Sequence, residues 1–172
     1  SLLLVSSCTN NDTSMEDAGL IPIPQIISAV AGNLTLESDF SIQLIGTDQG
    51  LRTVGDYLAN RIRPATGFEI PIGTAKGTIV LELISGEASE AYELNISDNE
   101  ARITSTSAAG LFYGTQTLMQ LFTIEIESSD VMTREWALPK GNIKDQPEFS
   151  YRGAMLDVAR HFISTTDEKH YI

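Results

Sequence analysis

Apolar residues recur with a period of two through most of the chain, the spacing of strands with one buried face, and twice the period lengthens to that of a helix. Phe40, Ile42 and Leu44 stand two apart around Ser41 and Gln43. Ile79, Leu81 and Leu83 repeat the pattern, followed by Tyr92, Leu94 and Ile96 and then by Ala101, Ile103 and Ser105. Asp98-Asn99 between the last two runs is the turn of a hairpin. Leu51, Val54, Leu58 and Ile62 fall three or four apart and predict a helix over about 48–63, ending before Pro64 and Gly67. A second helix is predicted from a Ser107 cap, with Leu111, Thr115, Leu118 and Phe122 on one stripe and Phe112 and Met119 beside it. Gly110 and Gly114 leave that helix a smooth face where another backbone can approach, and Gln116 and Gln120, one turn apart, are placed to bond loop carbonyls.

The remaining stretches are less regular. Ile21-Pro22-Ile23-Pro24 is an extended lead-in that no helix accepts. Residues 25–36 are apolar and β-branched but broken at Gly32-Asn33, which predicts two short strands about a turn. Residues 125–134 predict a polar loop, 136–139 a short strand, 142–147 a linker with turn chemistry, and 149–158 a buried strand. Residues from about 20 to 140 thus read as an α+β arrangement, an antiparallel or mixed sheet with two helices. From 149 onward the order strand, loop, helix start is the opening of an α/β unit, consistent with a (β/α)8 barrel.

Composition narrows the chemistry. With 172 residues, 42% hydrophobic and 20% charged, the chain can bury an ordinary core. The 23 Asp and Glu against 11 Lys and Arg give a net charge of −12, which argues against binding to a phosphate backbone or to an anionic membrane surface through charge. One Cys excludes an internal disulfide framework and a Cys-rich zinc site; two His, neither in a His-Glu-x-x-His arrangement, exclude a zinc hydrolase. No metal or cofactor is implied.

The two ends carry their own signals. Ser1-Leu2-Leu3-Leu4-Val5-Ser6-Ser7-Cys8 is an apolar run ending in small residues, as at the tail of a secretory signal, and Val5-Ser6-Ser7-Cys8 resembles a bacterial lipobox. On that reading Cys8 is lipidated, residues 1–19 are a signal remnant and tether, and the protein is exported to the bacterial envelope or periplasm; the other reading is an incidental or buried Cys. At the far end Ser164-Thr165-Thr166-Asp167-Glu168 reads as a helix start, its acidic pair complementing the helix dipole and His170 solvated. A single turn has no stability of its own, so the chain is expected to be a fragment.

Three clusters are more specific: Ile21-Pro22-Ile23-Pro24-Gln25; residues 107–121, Ser-Ala-Ala-Gly-Leu-Phe-Tyr-Gly-Thr-Gln-Thr-Leu-Met-Gln-Leu; and residues 143–162, which contain Tyr151-Arg152-Gly153-Ala154-Met155-Leu156-Asp157-Val158-Ala159-Arg160-His161-Phe162. In this order they resemble glycoside hydrolase family 20, the β-N-acetylhexosaminidases, over about residues 20–172. The resemblance implies a zincin-like small α+β domain over 20–146 and the first strand and helix start of a truncated catalytic barrel over 147–172. It also implies that Arg152 binds hydroxyls of a terminal N-acetylhexosamine, a task suited to a rigid fork of donors. A structural ion pair, for instance with Asp157, is the competing role. Asp157, Arg160 and His161 are expected either to orient neighbouring site groups or only to fix the loop after the strand. Trp136 is expected in the core or a domain interface.

The implied reaction is hydrolysis with retention by substrate assistance: the 2-acetamido oxygen attacks the anomeric carbon, an Asp orients that group, and the adjacent Glu is acid and then base. That Asp-Glu pair has no candidate in this chain, so the expectation is an inactive piece of an exo-acting enzyme releasing N-acetylglucosamine or N-acetylgalactosamine from glycans or chitin oligomers. The partner is then an N-acetylhexosamine-terminated oligosaccharide, with the membrane touched only through Cys8. Two other readings stand beside it, a non-catalytic glycan-binding surface lipoprotein and a structural module without hydrolase. Asn11, Asn33 and Asn95 begin N-glycosylation acceptor triplets, which are chance composition in a bacterial lipoprotein and would matter in a eukaryotic lysosomal or secreted enzyme.

Overall fold

The computed structural model describes residues 14–87, 89–153, 155 and 164–166. In chain order the elements are β1 (Ile26–Thr35), β2 (Ile42–Ile45), α1 (Gln49–Thr66), β3 (Ile72–Gly73), β4 (Ile79–Leu83), β5 (Tyr92–Ile96), β6 (Ala101–Ser105), α2 (Ala108–Leu121) and β7 (Ala137–Asp145). The strands make one sheet in the order β1-β7-β5-β6-β4-β2-β3. Pairing is antiparallel among β1, β7, β5 and β6 and parallel among β6, β4, β2 and β3. The α+β expectation, a mixed sheet with two helices, is met.

Alternation decides which face is which. Tyr92, Leu94 and Ile96 on β5 and Ala101, Ile103 and Ser105 on β6 are buried, with Leu94 opposite Ile103. All but Ser105 share one apolar cluster with Leu58 and Ile62 of α1, Leu111 and Leu118 of α2, and Leu138 and Ile143 of β7. Burying each such side chain stabilises the fold by about 1.5–3 kcal/mol. Residues between them on the strands are polar and pair on the other face: Arg102 with Glu82 and Glu100, Lys144 with Glu93. The helices therefore cover one face of the sheet, and a lattice of charge occupies the other.

Both helices begin as their caps dictate. The Asp48 carboxylate accepts from the Gly50 N–H at 2.6 Å, and Ser107 Oγ accepts from the Gly110 N–H at 3.1 Å. Gly110 and Gly114 allow the close approach expected of them. A Cβ on Gly110 would stand 2.5 Å from the Ala91 carbonyl oxygen, and one on Gly114 2.4 Å from Ile103 Cγ2. Trp136 is a core residue, 2% exposed and edge-on to Phe122.

Several boundaries differ from the sequence-based expectation. α1 continues through Pro64 to Thr66 and is closed by Gly67 in the left-handed region, whose N–H bonds the Arg63 carbonyl. Pro64 has no N–H to offer the carbonyl four residues back, so α1 forgoes one ladder bond in its last turn. Residues 25–36 hold one strand, not two: between the pairs Ala29–Gly141 and Asn33–Pro139, Val30, Ala31 and Gly32 stand opposite Lys140 alone, so the expected turn is a bulge. The short strand and linker expected over 136–147 are one long strand, β7. Its Pro139 is tolerated because β5 pairs no further along β7 than Gly141, leaving β1 as the only neighbour at that level. Within the expected loop at 125–134, Ile124–Glu127 form a 3-10 helix that buries Ile126.

The fold also begins earlier than a tether reaching residue 19 would allow. Ser14 caps a 3-10 helix at Met15–Asp17, and Met15 is 1% exposed, its sulfur 2.7 Å from where a Cβ on Gly141 would lie. Residues 14–19 thus belong to the folded unit. No strand is present over 149–153, and Phe149 and Tyr151 are exposed, because no neighbouring strand pairs with them. The rest of the run to Val158 lies outside the described residues. Thr165 and Thr166 are helical, in keeping with the helix start expected there.

Candidate functional site

The three sequence clusters converge on one hollow of about 660 Å³. Its floor is the face of α2 that carries Tyr113, Gln116, Thr117 and Gln120, spaced three, four and seven apart, turned away from the Leu111–Leu118 stripe that enters the core. Ile21-Pro22-Ile23 forms one wall and 146–149 with Arg152 the other.

Gln120 fixes the first wall. Its Oε1 accepts from the Ile21 N–H at 2.9 Å and its Nε2 donates to the Ile21 carbonyl at 3.1 Å, so one side-chain amide serves both polar groups of one residue. Gln116 does not reach a loop carbonyl as expected; its Oε1 accepts from the Tyr57 hydroxyl at 3.2 Å and its Nε2 donates to Thr115 Oγ1 at 3.4 Å. Deeper in, the Tyr92 hydroxyl lies 2.5 Å from Thr117 Oγ1 and donates to Asp145 Oδ2 at 3.4 Å. Burial, above all, pushes the Tyr92 phenol up to about 12; the Asp145 carboxylate adds to this, and the Thr117 hydrogen bond opposes it. Tyr92 therefore stays protonated and acts as a donor at neutral pH.

Arg152 closes the second wall. Its Nη2 donates to both Glu90 oxygens at 2.9 Å and to the Tyr113 hydroxyl at 2.8 Å, and its Nη1 donates to the Phe149 carbonyl. The guanidinium also lies 5.5 Å from the centre of the Tyr113 ring. The hydrogen bond from Arg152 holds the Glu90 carboxyl below its ordinary value, with the Arg152 charge and the Tyr113 hydroxyl acting in the same direction against some desolvation. A carboxyl so depressed is ionised at neutral pH and is no general acid. This cluster is built to anchor residues 147–153 to α2 and to the loop before β5.

Among the expected site residues, Arg152 alone is described; Cys8, Asp157, Arg160 and His161 lie outside the described residues, as do Asp167, Glu168 and His170. The ion pair foreseen as the competing role of Arg152 is present, but with Glu90. Sequence reasoning passed over Glu90 because 62 positions separate it from Arg152 and no local motif marks it. Of the α2 face the sequence marked only Gln116 and Gln120; Tyr113 and Thr117 were passed over, although helical spacing places them on the same face. Among the described residues no group of three or more His, Cys, Asp or Glu side chains is placed to hold a metal ion.

Residues 17–146 match glycosyl hydrolase family 20, domain 2. Over 181 aligned residues the chain is 31% identical to a β-hexosaminidase of Porphyromonas gingivalis, covering 99% of this chain and 23% of that protein. It is 28% identical to the N,N'-diacetylchitobiase of Vibrio harveyi, covering 90% of this chain and 17% of that one. Among solved structures, the family 20 β-N-acetylhexosaminidase of Streptomyces coelicolor superposes with a TM-score of 0.83 at 35% identity, over 92% of this chain and 32% of that one. The Streptomyces plicatus N-acetyl-β-hexosaminidase in complex with Thio-NAglucal gives 0.80 at 36%, over 88% of this chain and 31% of that one. The chain thus spans less than a third of the length of each of these relatives.

Proposed function

Because the chain belongs to glycosyl hydrolase family 20, with residues 17–146 as its domain 2, we propose that it is the leading part of a longer exo-acting β-N-acetylhexosaminidase. The substrate is an oligosaccharide ending in N-acetylglucosamine or N-acetylgalactosamine, and the reaction proceeds with retention through the substrate's own acetamido group. One observation carries this reading beyond the small domain. The alignment with the Porphyromonas relative takes in 99% of the chain, so it runs through the Arg152-to-His161 motif as well as the matched domain. The Asp-Glu pair that the reaction requires has no counterpart here, so the 172 residues by themselves are inactive. A chromogenic N-acetylglucosaminide assay on this chain and on the complete gene product tests both statements. Turnover by the chain alone, or none by the complete product on any hexosaminide, overturns them.

Arg152 is proposed as a ligand of sugar hydroxyls in the complete enzyme, with Asp157, Arg160 and His161 orienting the groups around it. Its engagement with Glu90 and Tyr113 supports a second role, a latch between 147–153 and the small domain. The two roles separate cleanly in the complete enzyme. Loss of hydrogen bonds to a charged donor costs on the order of 10- to 100-fold in kcat/KM. If the arginine binds sugar, Arg152→Ala shows that loss and Glu90→Gln does not; if it only latches, both variants lower stability alike and kcat/KM holds.

The lipobox resemblance supports export and lipid anchoring at Cys8, in the bacterial envelope. Mass spectrometry of the native amino terminus tests it: a diacylglyceryl-modified Cys8 is expected, and an unmodified Cys8 within an intact leader counts against it.

A further inference from the structure

The seven-stranded sheet ends differently on its two sides. On one side β3 is two residues long, too short to give a partner a usable edge. On the other side β1 is ten residues long, and no described strand pairs with its outer side. Sheet borders of that length are ordinarily blunted by charged side chains or proline. β1 carries neither. In a chain where 20% of residues are charged, positions 18–36 hold no Asp, Glu, Lys or Arg; the flanking charges are Asp17 and Glu37. We propose that β1 pairs with β1 of a second copy, antiparallel about a two-fold axis at Ser28, so that two sheets join into one.

That axis sets Ile26 opposite Val30 of the other copy, Ile27 opposite Ala29, and Ser28 opposite itself. The faces agree. Ile27 and Ala29 pack against the core cluster, so alternation turns Ile26, Ser28 and Val30 to the open side, where Ile26 and Val30 are 53% and 60% exposed. The pairing therefore matches apolar with apolar on both sides of the joined sheet. Charge selects the occupant. A molecule of net −12 repels its own copy over most of its surface, but at this border neither copy brings a charge on the pairing strand. Lys140 and Lys144 of the neighbouring β7 are already paired with Asp98 and Glu93. A register that is self-complementary about Ser28 needs no foreign sequence. The bulge at Val30-Ala31-Gly32 confines the pairing to the first half of β1, and β3 is too short to receive β1 of a further copy, so association closes at the dimer. A contact one strand wide falls below the roughly 1,600 Å² of a standard interface, and the dimer is accordingly weak and reversible.

Sedimentation equilibrium on the complete gene product tests the proposal, and the apparent mass is expected to rise with concentration toward that of a dimer. Val30→Lys, at an exposed position, removes two Ile26–Val30 contacts per dimer and adds two like charges; it is expected to weaken the dimer on the order of tenfold or more. Ser28→Cys, oxidised beside the wild type to control for Cys8, is expected to give a covalent dimer, and Thr35→Cys on the far side of the bulge is not. A protein that stays monomeric up to its solubility limit overturns the proposal. If that monomer takes up a labelled peptide with the sequence of residues 25–31, the edge serves a foreign strand instead. A dimer that Val30→Lys leaves unchanged, or cross-linking by Thr35→Cys as fast as by Ser28→Cys, overturns it equally. The inference does not rest on the hexosaminidase reading: turnover by a monomer removes the dimer alone, and an inactive dimer removes the activity alone.

Discussion

Gly110 and Gly114 show how a single missing carbon sets the distance of a helix from its sheet. An alanine would favour the helix by about 1 kcal/mol at each position. The contacts at 2.5 Å to a backbone oxygen and at 2.4 Å to Ile103 decide the sign the other way, because overpacking costs about 1–3 kcal/mol and backbone cannot step aside. Gly110→Ala is therefore expected to lower stability in urea unfolding, and more than Gly114→Ala, whose near neighbours are side chains with no backbone atom among them. Tyr92 gives a pH prediction of the opposite kind to a carboxylate. Its folded value is raised above the ordinary 10, so its contribution is complete below about pH 10 and is lost as the pH climbs toward 12. Of the five tyrosines, Tyr92 should ionise late in a phenolate absorbance titration, and Tyr92→Phe should remove that late step. Glu90 runs the other way: depressed in the folded chain, its bond to Arg152 contributes above about pH 4.3 and is lost as the pH falls through the lowered value. A carbon-detected NMR titration should find Glu90 below the ordinary range, and Arg152→Ala should return it there.

Capping and loop anchoring operate one level up. Ser107→Ala removes the acceptor for the Gly110 N–H and is expected to cost about 1 kcal/mol, read as a shift of the urea midpoint at constant slope. Arg63 anchors the chain after α1, donating to the Glu69 and Ile70 carbonyls at 3.0 and 2.9 Å. Ile70 sits there at φ +46°, a conformation that β-branched residues rarely accept, and it is fully buried. Arg63→Met should release this corner and cost about 1–3 kcal/mol. These elements also mark what sequence could and could not reveal. Strands β4, β5 and β6 and both helices were legible because alternation or helical spacing was written in their own residues. β7 was not, since Pro139 and Gly141 carry turn chemistry and only pairing, with β1 along its length and with β5 from Gly141 onward, makes a strand of them. β3, two residues long and held by β2 alone, has no local signal at all. In the candidate site Gln116 and Gln120 of α2 and Arg152 were readable, whereas Glu90 and the Tyr92–Thr117–Asp145 chain arise from contacts across the fold.

At the scale of the whole molecule, the sheet is guarded on its two faces, by helices on one and by ion pairs on the other, but its flank is not. β1 is the outermost strand on its side among the described elements, ten residues long, with Ile26 and Val30 exposed. An uninterrupted ribbon of that length and character is a template on which foreign chains can stack into fibrils. The bulge at Val30-Ala31-Gly32 breaks its pleat and twists it, so no straight partner can follow the whole of it. Excising two of those three residues would bring Ala29 and Asn33 into continuous register with β7, and a thioflavin-positive, sedimenting product is the outcome to expect; the irregularity is thus a safeguard against amyloid growth from an otherwise inviting border.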